Sequence, residues 1–201
     1  MADCDEDSPR LRANLTAVLE SVAEAADRRD PLTLETIKRW HADTMAGLNV
    51  PDGAFVGRFR GEPGLETVRA YIDALEGSPP DRVADDLVRL IDTLNAATER
   101  LDRAYPGEMD LDVDGREAVV ELAAWAHSEW VRIHPFANGN GRTARILTNA
   151  LLMRYGIPPV LRLRPRPNED YERASAAAMI GDVAPMTRLL RRLVSSLRPP
   201  P

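Results

Sequence analysis

Cysteine is almost absent from this sequence: Cys4 is the single one in 201 residues. One thiol cannot build a disulfide framework or a cysteine-rich metal site within a chain, which fits a reducing cytoplasm. Long apolar runs are missing too. No stretch approaches the roughly 18 apolar residues that a membrane span needs. The N-terminus, MADCDEDSPR, is acidic and lacks the apolar core of a signal peptide. There is no basic excess: Asp and Glu number 32 against 26 Lys and Arg, and the net charge of −6 is spread along the chain. That balance gives no general attraction to nucleic acid or anionic lipid, although a local basic pocket can still hold a phosphate ligand. No acidic residue stands at a ligand spacing from the three histidines, which argues against a His-based zinc site. Internal repeats are lacking as well.

What is present is an ordinary globular composition, 44% hydrophobic and 29% charged. The length suits one domain with a core that needs no staples. Apolar residues recur at helical spacing over 9–29, where Leu11, Leu15, Val18, Leu19, Val22 and Ala26 share a face. Residues 1–8 read as frayed, and Asp30-Pro31 is a break. Thr33 is placed to cap a second helix carrying Leu34, Ile37, Trp40, His41 and Met45. Further helices are expected over 65–75, 80–103, 115–133, 142–155, 168–180 and 183–197, before a Pro tail at 199–201. Gly156 is placed as a C-cap. Gly and Pro punctuate residues 49–64, and Ala54–Phe59 is the one segment with the apolar content of a strand or hairpin. The expected class is all-α with one small β excursion.

The chemistry concentrates in HPFANGNGRTAR, residues 134–145, set between two helices. Gly139 and Gly141 permit positive φ and bring backbone N–H groups close to a ligand. The following helix turns its N–H groups and positive dipole end toward the loop. Arg142 and Arg145 add guanidinium donors that suit phosphate oxygens. His134, at the end of the preceding helix, has the ordinary pKa of a general base at neutral pH. A base beside an anion cradle points to phosphoryl or nucleotidyl transfer to a hydroxyl.

The stretch resembles the Fic family signature, HxFx(D/E)GNGRxxR, at every defined position but one: Asn138 stands where the family has Asp or Glu. Residues 32–45, 53–60 and 117–133 resemble, in weaker form, the family's first core helix, its β-hairpin flap and the helix feeding the catalytic loop. The resemblance implies an N-terminal segment and helix over 1–31, a catalytic core over 32–190, and a helix end with the Pro tail over 191–201. It implies a compact helical fold and AMP transfer from ATP to a Tyr, Thr or Ser hydroxyl of a target protein, with release of pyrophosphate.

By the same resemblance His134 is the base and Phe136 anchors the loop. Gly139, Asn140 and Gly141 hold the inner phosphates, Arg142 pairs with outer phosphates, and Arg145 orders the terminal one. Mg²⁺ is implied, and Asn138, a neutral oxygen ligand in place of an acid, is expected to hold it weakly. The segment 53–64 is expected to dock the target's backbone by strand addition, with Phe55 and Phe59 as its apolar contacts. Family members are often inhibited by a helix bearing (S/T)xxxE(G/N). The best match here runs from Thr16 to Ser21 and makes Glu20 the candidate inhibitory residue; the competing reading is a solvated glutamate, with a separate antitoxin-like partner or no inhibition. His127 and His41 read as core histidines. Two other outcomes stay open: a different transfer chemistry on the same fold (another nucleotide, a phosphate, or removal of AMP), and a silent module that binds a nucleotide or protein.

Overall fold

A computed structural model describes residues 8–107, 111–165 and 167–197. Cys4, most of the segment read as frayed, and the Pro tail lie outside the described residues. Ser8 belongs instead to the first helix: its Oγ accepts the Leu11 N–H at 3.1 Å and caps α1, Pro9–Asp27. Thr33 does the same for α2, Leu34–Met45, through the Thr36 N–H. The long amphipathic helix α3 spans Pro80–Ala104. The Asp112 carboxylate accepts the Gly115 N–H at 2.7 Å and starts α4, Val113–Ile133, two residues before the apolar pattern suggested. Three more helices follow: α5, Asn140–Met153; α6, Glu169–Met179; and α7, Ala184–Ser195. No helix among the described residues is long and apolar enough to cross a membrane.

Helices α4 and α5 form the centre. Apart from Gly141, every residue of α5 from Asn140 to Leu152 is buried, because α5 packs against α1 and α2 on one side and α4 on the other. Helix α4 also packs against α3, α6 and α7. Leu11, Leu15, Val18 and Val22 of α1 enter the same hydrophobic core as Trp130, Ile146 and Leu190. The loop between α4 and α5 therefore springs from the two most enclosed elements of the molecule.

The β excursion lies elsewhere than the sequence pattern placed it. Residues 65–75 are not helical: Tyr71–Ile72 (β1) pairs antiparallel with Leu75–Glu76 (β2), in the register Tyr71 to Glu76 and Ile72 to Leu75. The cause is where the carbonyls go. The Val68 carbonyl accepts from the Arg60 guanidinium and the Ala70 carbonyl from the Gly77 N–H, contacts that hold this segment extended. Conversely, the expected strand at Ala54–Phe59 is a 3₁₀ turn at Gly53–Phe55, capped by Asp52, and Gly57 at φ +67° ends any extended run.

Candidate active site

Helix α4 ends on His134, a non-glycine residue in the left-handed region at φ 53°, ψ 55°. Pro135 follows it and cannot continue the helix. His134 N–H still donates to the Trp130 carbonyl at 2.9 Å, while the side chain folds back so that Nδ1 lies 3.1 Å from the Val131 carbonyl. A carbonyl only accepts, so Nδ1 carries the proton and Nε2 keeps its lone pair. Burial is the largest influence on this imidazole and pulls its pKa below the ordinary histidine value.

The strain at His134 is held by Arg60. This guanidinium is 1% exposed and donates to four carbonyls: His134 at 2.8 Å, Ile133 at 2.9 Å, Ser78 at 2.8 Å and Val68 at 3.3 Å. Two of these are the last carbonyls of α4, which a helix leaves without partners and which favour a cation. The backbone joins in: Arg60 N–H donates to Pro135 O at 2.8 Å, and Ser78 N–H to Ile133 O at 3.1 Å. The close approach requires Gly77, where an added Cβ would stand 2.5 Å from His134 Cβ and 2.8 Å from the Ile133 carbonyl.

Beyond His134 the loop is locked by its own side chains. Phe136 is fully buried, 4.8 Å centroid to centroid from Phe59 and stacked on His41 at 3.8 Å. Asn140 closes a ring over four residues: Oδ1 accepts the Phe136 N–H at 2.8 Å and Nδ2 donates to the Phe136 carbonyl at 2.7 Å. His41 braces the loop from α2. Its Nδ1 accepts the Gly57 N–H, so Nε2 carries the proton and donates to the Asn138 carbonyl, both at 3.0 Å. Burial holds this ring neutral, with its pKa lowered to about 4. Gly139 caps α5 at φ +82°, and a Cβ there would meet Met45 Cε at 2.7 Å. Gly141, by contrast, is not at positive φ.

These elements wall a cavity of about 730 Å³. His134, Asn138, Gly139, Asn140, Gly141, Arg142 and Arg145 line it, and the β-hairpin contributes Tyr71, Ile72 and Asp73. Four arginines (Arg69, Arg142, Arg145 and Arg164) face two carboxylates, Asp73 and Glu172. A chain of net charge −6 thus carries a locally positive cavity at the N-terminus of α5. Arg142 is 5% exposed, and its guanidinium approaches Met45 Sδ at 3.7 Å. Arg145 is 4% exposed and donates to the Tyr171 hydroxyl at 3.1 Å and the Leu163 carbonyl at 3.2 Å.

The structure thus gathers the loop residues into one cavity and leaves others out. The Asn140 amide braces the loop through one of its two Nδ2 hydrogens and through Oδ1, which leaves one side-chain N–H and the backbone for a phosphate. Phe59 is 5% exposed and packs on Phe136, Trp130 and Lys38, so it cannot be a target contact. Phe55 lies in the 3₁₀ turn and does not line the cavity. Glu20 points to solvent, because the buried face of α1 is set by Leu15, Val18 and Val22, and it does not reach Arg145. Sequence reasoning missed Arg60, Tyr171 and the hairpin at 71–76. The signal for the hairpin was the β-branched and aromatic pair Tyr71-Ile72 ahead of Asp73; Arg60 and Tyr171 gave none.

Comparison with known proteins agrees with this geometry. The sequence model of the Fic/DOC family matches residues 31–152. The chain is 30% identical over 163 residues to protein adenylyltransferase fic-1 of Caenorhabditis elegans, covering 81% of this chain and 27% of that protein. It is 48% identical over 73 residues to protein adenylyltransferase Fic of Nematostella vectensis, covering 36% of this chain and 17% of the relative. The chain therefore spans about a quarter or less of the length of these relatives. Among solved structures, residues 134–508 of C. elegans Fic-1 superpose with a TM-score of 0.64 at 26% identity, over 94% of this chain and 51% of that one. A Fic-domain protein from Bacteroides thetaiotaomicron superposes with a TM-score of 0.66 at 21% identity, over 92% and 67%.

Arg60→Met keeps the shape of the stem and removes every guanidinium donor. Unsatisfied buried carbonyls then cost the fold about 3 kcal/mol, read as a lower denaturation midpoint with an unchanged denaturant slope. A change smaller than about 0.5 kcal/mol would show that the four contacts are incidental.

Proposed function

The chain belongs to the Fic/DOC family, and on that premise we propose that it is a protein adenylyltransferase, moving AMP from ATP to a Tyr, Thr or Ser hydroxyl of a target protein. The observation that carries this reading is a base and an anion cradle on one cavity. His134 keeps its Nε2 lone pair beside the N-terminus of α5, Arg142 and Arg145. The target hydroxyl oxygen attacks the α-phosphorus of ATP and its proton passes to Nε2. The bond from that phosphorus to the bridging oxygen of the β-phosphate breaks, and pyrophosphate leaves. The first N–H groups of α5 hold the inner phosphates, Arg142 takes charge on the outer ones, and Arg145 orders the terminal phosphate. Positioning and fixed charge supply most of the catalysis in such reactions.

Target docking moves, in this reading, from residues 53–64 to the hairpin at 71–76. Its edge lies beside His134, and Tyr71 and Leu75 are 52% and 38% exposed. An extended target segment adding to this edge brings its own hydroxyl over the cavity. Glu20 faces away from the cavity, which leaves a separate antitoxin-like partner or no inhibition as the readings of control.

The family pattern implies Mg²⁺, but the residues present do not form a cage for it. Among the described residues no three His, Cys, Asp or Glu side chains cluster. Asn138 is neutral, and its Oδ1 accepts the Gly139 N–H at 2.6 Å. Any Mg²⁺ would be carried chiefly by the phosphates of the nucleotide.

Two outcomes follow. His134 must be neutral to accept a proton, and burial lowers its pKa from 6.5. The acid limb of the transfer rate should therefore have its midpoint below pH ~6.5, and His134→Ala should lose transfer while still binding ATP. A limb centred above neutrality, or near-normal transfer by the variant, contradicts this role. Asn138→Asp adds a full negative charge beside the phosphates. It should reach half-maximal activity at several-fold lower Mg²⁺ than the wild type, in a titration of transfer rate. An unchanged or higher requirement would give Asn138 another task.

A further inference from the structure

Helix α6 lies outside the catalytic motif, yet it delivers Tyr171 to the centre of the site. The hydroxyl of this tyrosine, itself 4% exposed, has neighbours from two other helices. Arg145 Nη1 of α5 lies at 3.1 Å, His127 Nε2 of α4 at 2.9 Å, and the Gly141 carbonyl of α5 at 3.5 Å. The Arg145 guanidinium also sits 5.3 Å from the Tyr171 ring centroid, and the His127 ring meets that ring edge-on at 5.3 Å. We propose that Tyr171 is a positioning residue that aims Arg145 at the phosphate chain of the nucleotide, with His127 behind it as a neutral support. This inference rests on the adenylyltransferase reading and adds two residues to it.

The hydrogen-bond inventory fixes the directions. Arg145 only donates, so it fills one lone pair of the hydroxyl. The hydroxyl proton remains for His127 Nε2 or for the more distant Gly141 carbonyl. In either arrangement His127 stays neutral, since full burial and the Arg145 charge pull its pKa down to about 3. The other partner of Arg145, the Leu163 carbonyl, is also neutral.

That neutrality is the point. Burying a cation is costly unless something compensates it. A carboxylate in place of Tyr171 and His127 would compensate Arg145 by cancelling its charge. A hydroxyl and an imidazole orient the guanidinium and leave the charge for an anion in the cavity that Arg145 and Tyr171 both line. Arg145 Nε is buried without a hydrogen-bond partner among the described residues. So is Ser175 Oγ, one turn along α6 from Tyr171, whose residue lines the same cavity.

The test is binding of ATP and of adenosine by calorimetry to the whole chain. Tyr171→Phe removes one oxygen and keeps the ring. ATP affinity should fall about five- to tenfold, the scale of one ordinary hydrogen bond, while adenosine affinity stays near wild type. His127→Gln, which can still hydrogen-bond the Tyr171 hydroxyl, should keep ATP affinity, and His127→Leu should lose it as Tyr171→Phe does. A merely structural role predicts equal losses for ATP and adenosine, and that result, or unchanged ATP binding in both Tyr171→Phe and His127→Leu, overturns the proposal. A wild-type chain that binds no ATP overturns the adenylyltransferase reading, and this inference with it. Normal wild-type binding with no Tyr171 effect overturns the inference alone.

Discussion

One buried guanidinium ties the site together. Arg60 sits beneath the end of α4 and gives its hydrogens to the carbonyls of Ile133, His134, Ser78 and Val68. Without those donors the last turn of α4 would present unpaired carbonyls in a closed interior. With them, His134 is held in the left-handed conformation that stops the helix and turns its ring back onto Val131. The same contacts draw Val68 and Ser78 inward and thereby set the hairpin between them beside His134. His134, the proposed base, and the edge proposed for target docking are consequently held by one side chain.

A second principle governs the loop that follows. Each polar side chain near its backbone is used to stiffen it: Asn140 closes on Phe136, His41 bridges Gly57 to Asn138, and Asn138 accepts from Gly139. Preorganisation of this kind means that donors need not reorganise when charge develops. The charge itself comes from the four arginines that line the cavity against two carboxylates, set in a protein that is acidic elsewhere. Buried histidines contribute to the pH range over which this holds. The folded-state pKa values of His41 and His127, about 4 and about 3, lie below the unfolded value of roughly 6.5. The unfolded chain takes up more protons in that window, so their contribution to stability is intact above it and is lost as pH falls through it.

How much of this could be read from the sequence depended on how far apart the partners lie. The helices announced themselves through 3.6-residue periodicity, and the loop through the consecutive pattern of residues 134–145. Arg60 looked like one more surface arginine, because its partners His134 and Ile133 are 74 and 73 residues away. Tyr171 was equally silent, being 26 residues from Arg145 and 44 from His127. The hairpin was misplaced for the same reason. The pattern over 65–75 allows a helix, and the contacts that hold it extended come from Arg60 and Gly77, outside the segment. Phe59 shows the limit of polarity reasoning: an aromatic residue in a Gly-rich stretch suits docking or core equally until Phe136 is seen against it.

The most direct test of the central claim is which phosphate of ATP stays on the target. The wild-type chain is incubated with a cell lysate and with ATP labelled on either the α- or the γ-phosphate, and label on protein is measured. The proposed adenylyltransferase reading, with His134 as base and the arginines on the outer phosphates, predicts α-label on protein, released pyrophosphate and no γ-label. Retention of the γ-label would mean phosphoryl transfer. Absence of both labels on any protein, from a chain that binds ATP, would contradict transfer altogether.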